Sequence, residues 1–129
     1  MKSNMKKIIL LFIFSLFYFN SFSQSDLEKN ESNNVYKLFP TENIWNFIKL
    51  NTRTGQMWQV QFDVSGNNRF VTDLWIYPLV KTEDEINNRF TLYPTQNTWN
   101  FILLDQIEGN TYQVQWSMEP ENRGVILIE

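Results

Sequence analysis

Leu38–Phe62 reads LFPTENIWNFIKLNTRTGQMWQVQF, and Leu92–Trp116 reads LYPTQNTWNFILLDQIEGNTYQVQW. The two stretches align without a gap at an offset of 54 residues and are identical at 13 of 25 positions. Several of the remaining pairs are near-equivalents: Phe39 and Tyr93, Asn51 and Asp105, Trp58 and Tyr112, Phe62 and Trp116. At the same offset Asn68-Arg69 matches Asn122-Arg123, and Val71 matches Val125. Such a period marks a supersecondary unit that cannot bury its apolar face alone and stacks on its own copy.

Each repeat reads as four strands. Val35–Phe39 and Arg89–Tyr93 are short β-rich runs ended by a proline, which has no N–H to give to a ladder. Ile44–Leu50 and Thr98–Leu104 follow, then Met57–Val64 and Thr111–Met118, and finally Phe70–Tyr77 and Val125–Ile128. Strand-type residues alternating in period two, broken by turn signals, predict an all-β fold. The expected architecture is two tandem four-stranded antiparallel units forming one eight-stranded sandwich or barrel, paired about a pseudo-twofold axis. A second reading also fits: a tryptophan-rich four-stranded unit resembles a propeller blade, and two blades close a ring only by oligomerisation, giving a propeller-type lectin with sugar sites between blades.

The central hairpins can be registered. Asn51–Gly55 and Asp105–Gly109 each open with an Asx side chain able to accept turn amides and close with a glycine suited to positive φ. Pairing Asn51 with Gln56 sets Trp45 against Phe62, Phe47 against Val60 and Lys49 against Trp58. The second repeat sets Trp99 against Trp116, Phe101 against Val114 and Leu103 against Tyr112. This aromatic face is expected to be core in both copies. The opposite face carries Asn46, Gln59 and Gln61 in one copy and Asn100, Gln113 and Gln115 in the other, and these amides are the candidate ligand-binding residues. Amides both donate and accept, which suits sugar hydroxyls, peptide groups or another sheet.

The N-terminus predicts export. Lys2, Lys6 and Lys7 precede the apolar run Ile8–Phe19, and Ser21 and Ser23 place small residues ahead of a cut before Gln24. The run spans 12 residues, short of the roughly 20 that a spanning helix needs, so cleavage without a membrane anchor is expected. The expected organisation is a signal peptide at 1–23, a flexible polar leader at 24–34, repeat 1 at 35–80, an acidic linker at 81–88 and repeat 2 at 89–129. The expected location is the periplasm or the exterior. Loss of the signal leaves eight basic against fourteen acidic residues, a net charge of −6 that does not suit nucleic acid.

The chain has no histidine and no cysteine, which removes the usual general base, the thiol nucleophile and the common zinc ligands. No cofactor motif is visible. A carboxylate-based hydrolase using Asp63, Asp73 or Asp105 is the enzymatic alternative. The favoured reading is a non-enzymatic binding module for a protein or carbohydrate partner. Arg69 and Arg123 are candidate anion contacts, and Trp75 with Tyr77 a candidate stacking platform. The stretch LNTRTGQMW (Leu50–Trp58) resembles an Asp/Asn-Thr-Arg-Thr-Gly-x-x-Trp hairpin cassette of small secreted bacterial proteins. The resemblance implies the hairpin and attaches no activity; in the second copy Gln106-Ile107-Glu108 replaces Thr-Arg-Thr.

Overall fold

Eight short strands, none longer than six residues, make two antiparallel meanders in a computed structural model that describes residues 34–129. The predicted signal peptide and all but the last residue of the leader lie outside the described residues. The first sheet is β1 (Tyr36–Pro40), β2 (Asn46–Asn51), β3 (Met57–Gln61) and β4 (Phe70–Trp75), in that spatial order. The second is β5 (Phe90–Pro94), β6 (Asn100–Asp105), β7 (Thr111–Gln115) and β8 (Gly124–Ile128), again in chain order. The architecture is all-β and sandwich-like; neither sheet closes into a barrel. The acidic linker folds into a single 3₁₀ turn at Thr82–Asp84.

The hairpin registers are those the sequence predicts. Asn46 pairs with Gln61, Phe47 with Val60 and Lys49 with Trp58; Asn100 pairs with Gln115, Phe101 with Val114 and Leu103 with Tyr112. The Asx turns also form as expected. Asn51 Oδ1 accepts the Arg53 amide at 3.0 Å, and Asp105 Oδ1 accepts Ile107 and Glu108 at 3.0 and 3.2 Å. Gly55 and Gly109 sit at φ +79° and +78°, where a Cβ would crowd the backbone.

The packing differs from the expectation in one decisive respect. The first sheet buries its aliphatic and amide face: Ile48, Leu50, Met57 and Gln59 are each fully inaccessible. The second sheet buries its aromatic face, with Phe90, Phe101, Leu103, Val114 and Trp116. These residues form one shared core between the sheets. A pseudo-twofold would bury the same face twice. Here opposite faces meet, so the sheets stack head to tail, each presenting the same side in the same direction. Corresponding ends lie together: Thr98 Oγ1 donates to Glu42 Oε2 at 2.8 Å, and Arg123 of β8's lead-in donates to Thr72 Oγ1 and Asp73 O of β4. The aromatic face is therefore core in the second copy only.

The linker accounts for the difference between the two hairpin loops. Leu79 N donates to Thr54 O, Phe90 N to Thr52 O and Asn88 N to Thr52 Oγ1, so the first loop becomes the floor on which the chain crosses between sheets. Thr52 and Thr54 are buried, whereas Gln106, Ile107 and Glu108 of the second loop are exposed. The Thr52 hydroxyl serves that crossing, whereas the Thr54 hydroxyl donates to Gln56 Oε1 at 2.9 Å within the loop.

The two turn glycines should respond differently to substitution. Gly109→Ala should cost about 1 kcal/mol, because its Cβ meets open space and only the positive φ opposes it. Gly55→Ala should cost more, since its Cβ would also come within 2.8 Å of Leu79 Cδ1. Chemical denaturation of both variants checks the order.

Candidate functional site

The six candidate amides fall in three different environments. Asn46 and Gln59 lie inside the sandwich, where Gln59 Nε2 donates to Asn46 Oδ1 at 3.0 Å and reaches Met118 Sδ at 3.5 Å. Their position withdraws them from any ligand in solvent, a correction to their expected role. Among the described residues Gln59 Oε1 has no donor, which costs about 1–3 kcal/mol. Gln61 is half-buried, donating to Asn68 O at 2.9 Å and accepting from Asn46 Nδ2 at 3.4 Å. Asn100, Gln113 and Gln115 keep solvent access on the outer face of the second sheet. Asn100 donates to Val114 O at 3.4 Å.

Two clefts related by the repeat sit at the same end of each sheet. One, of about 330 Å³, is lined by Trp99, Gln115, Trp116, Ser117 and Asn122 together with Met118 and Glu119. The other, of about 160 Å³, is lined by Trp45, Gln61, Phe62, Asp63 and Asn68. All five residues of the smaller cleft have their counterparts in the larger at the 54-residue offset. Each cleft thus combines a part-exposed tryptophan, a second aromatic ring against it, a glutamine and an asparagine. The ring pairs are close: Trp99 and Trp116 lie 4.7 Å apart, Trp45 and Phe62 5.3 Å. Trp116 is locked from behind, its Nε1 donating to Thr98 O at 2.9 Å.

Trp45 and Trp99, expected in the core, line the clefts, together with Asn68 and Asn122, which strand patterning does not single out. Their signal was present, because Asn68/Asn122 is one of the few identities beyond the hairpin. What period-two patterning could not reveal is that Trp45 and Trp99 lie just before β2 and β6, at the sheet ends, where they remain part-exposed.

The three candidate carboxylates differ in how they are held. Asp63 accepts the amides of Ser65, Gly66 and Asn68 at 3.0, 3.2 and 3.1 Å and organises the loop after β3. Those amides, Ser65 first, hold its pKa below the ordinary aspartate value. Asp105 is 1% exposed and forms a bidentate pair with Arg89, itself 3% exposed, at 2.8 and 3.1 Å. Burial pushes the Asp105 carboxyl up, but the Arg89 guanidinium and the Ile107 and Glu108 amides outweigh it, and the net direction is down. Arg89 also donates to Asp84 O at 3.0 Å, tying the linker to the second hairpin. Asp73 is exposed and stands opposite Trp58 in the ladder. Among the described residues no group of three or more acids is placed to hold a metal ion.

The remaining candidates have structural contacts. Arg123 Nε donates to Ser117 O at 2.8 Å and its Nη1 bridges to the first sheet, so it staples the two layers. Its counterpart Arg69 closes its own loop through Gly66 O at 2.6 Å. Trp75 packs against the core edge-on to the exposed Tyr77, with centroids 5.5 Å apart. Compared with protein-family models, curated proteins and solved structures, the chain matches none.

The Arg89–Asp105 pair has a built-in control, since the first repeat places Val35 and Asn51 at those positions. Asp105→Asn alone should cost about 3 kcal/mol, by removing the bidentate partner of a buried guanidinium and leaving it only the exposed Glu108 carboxylate, 3.3 Å away. Adding Arg89→Val, which copies the first repeat, should recover most of that loss in a denaturation series.

Acid should test the same pair. A depressed folded pKa contributes stability above the unfolded value, about 3.9, and that stability is lost as pH falls through the folded value. The melting temperature should therefore drop below about pH 4, and the Arg89→Val/Asp105→Asn double variant should drop less, retaining the contribution of Asp63.

Proposed function

We propose that the chain is an exported, non-catalytic binding module that takes carbohydrate in its two repeat-related clefts. The observation that carries this reading is the recurrence of one constellation, tryptophan, aromatic, glutamine and asparagine, at Trp45/Phe62/Gln61/Asn68 and Trp99/Trp116/Gln115/Asn122. A sugar ring offers an apolar C–H face and a rim of hydroxyls. A part-exposed indole matches the first, and amides that donate and accept match the second. Gln115 makes no side-chain hydrogen bond within the protein among the described residues, so its capacity faces the cleft. Two of the three aspartates that could support hydrolysis are engaged in holding loops, Asp63 by amides and Asp105 by Arg89. The net negative charge of the exported chain agrees with a neutral ligand.

Titration with a panel of neutral mono- and oligosaccharides, followed by tryptophan fluorescence, tests the reading. Binding should be weak, in the range of about 10 μM to 10 mM, as shallow clefts with few contacts give. Trp99→Ala and Trp45→Ala should each remove one site, the fold persisting with a melting temperature lowered only by the lost ring contact. Turnover in a glycosidase, esterase or peptidase screen that Asp73→Asn abolishes would instead establish the hydrolase.

A further inference from the structure

We infer that the chain associates head to tail with a second copy of itself, the aromatic face of one copy's first sheet laid on the amide face of the other's second sheet. This goes beyond carbohydrate binding and does not depend on it.

The argument starts from what the internal interface leaves uncovered. The face of the first sheet that packs inside has its repeat counterpart on the outside of the second sheet: Ile48 and Leu50 recur as Ile102 and Leu104, Gln59 and Gln61 as Gln113 and Gln115. The face of the second sheet that packs inside has its counterpart on the outside of the first: Phe101, Val114 and Trp116 recur as Phe47, Val60 and Phe62. The molecule therefore displays both halves of an interface it already forms once. Head-to-tail stacking makes this unavoidable, because a two-layer stack satisfies one contact and leaves its two outer faces complementary. A second copy continues the established interface by the same operation that relates the repeats.

Details at the rim agree. Inside the chain Met118 covers Gln59. On the outer face the corresponding position, beside Gln113, is an open depression of about 240 Å³ lined also by Gln115, Arg123 and Ile126. The counterpart of Met118 is Val64, and that of Thr98, which meets Glu42 across the sheets, is Ile44. Val64 and Ile44 are 77% and 72% exposed, and Ile126 on the receiving face is 66% exposed. Apolar side chains this bare, gathered on two faces of known complementarity, mark an interaction surface.

The copy-to-copy version is more polar than the internal one. Lys49 replaces Leu103 on the donor face, with its ammonium 4.8 Å from the Trp58 ring, and Asp73 replaces Leu127. Thr111 replaces Met57 on the receiving face. Covering Lys49 costs solvation that Leu103 never had, so the association is weaker than the internal packing and reversible. A heterologous contact of this kind closes into a ring or runs on as a filament, according to the rotation between copies.

Sedimentation velocity on the protein isolated after export, from micromolar to millimolar concentration, tests the inference. The mass should rise with concentration, to a plateau for a ring or without one for a filament. Val64→Arg blocks the donor face and Gln113→Arg the receiving face; both positions are exposed, lie outside the two clefts and should leave the melting temperature unchanged. Each variant alone should be monomeric, and an equimolar mixture should form a one-to-one dimer through the two intact faces. Lys49→Leu should tighten association at least about tenfold. A wild type that stays monomeric throughout would overturn the inference and assign these faces to a different partner. So would variants that still self-associate, a mixture that stays monomeric, or a Lys49→Leu protein no tighter than wild type.

Discussion

The contact on which the structure depends lies between unlike faces: the aliphatic and amide side of the first sheet against the aromatic side of the second. A four-stranded meander of five- and six-residue strands has too little area to be stable with both faces in water. Each sheet must cover one face, and burial at roughly 25 cal/mol per Å² makes the large aromatic face of the second sheet the most effective partner. In repayment the first sheet commits its other side, with two amides enclosed and one amide oxygen left without a donor. The core thus tolerates a polar defect because Ile48, Leu50 and Met57 around it are fully buried.

This arrangement separates residues that the sequence treats as equivalent. Phe47 and Phe101 stand at the same point of the same pattern, yet one meets solvent and the other is core. Gln59 and Gln113 divide in the opposite sense. The places where the repeats diverge follow the same division. Lys49 stands where its face is open and Leu103 where it is closed; Thr52 and Thr54 lie beneath the crossing linker, while Gln106 and Glu108 lie in water. Divergence between the copies therefore records which surfaces each copy covers.

The clefts obey a different rule. They lie at the sheet ends, where Trp45 and Trp99 stay part-exposed in both copies although Trp116 backs onto the core, and their five shared positions correspond throughout. A site repeated in this way can act twice per chain, but Phe62 and Gln115 belong both to the clefts and to the outer faces, so association through those faces would cover part of each site it engages.

Local chemistry in the sequence determined the strands, the hairpin registers, the two positive-φ glycines and the Asx turns, because each depends on residues within about twenty positions of one another. It also determined that there are two copies of one unit. Which face of each copy is buried could not be read there: period two distinguishes two sides of a strand but does not say which side meets a partner when both carry apolar residues. The amide face held Ile48 and Leu50 as well as Asn46 and Gln59, so it could serve as core or as surface, and it serves as core in one sheet and as surface in the other. The buried Arg89–Asp105 pair was equally hidden, since its first-repeat counterparts are Val35 and Asn51 and the repeat pattern therefore does not mark the two as partners. Tertiary packing made that choice, because two identical faces cannot both lie inside a stack whose layers point the same way.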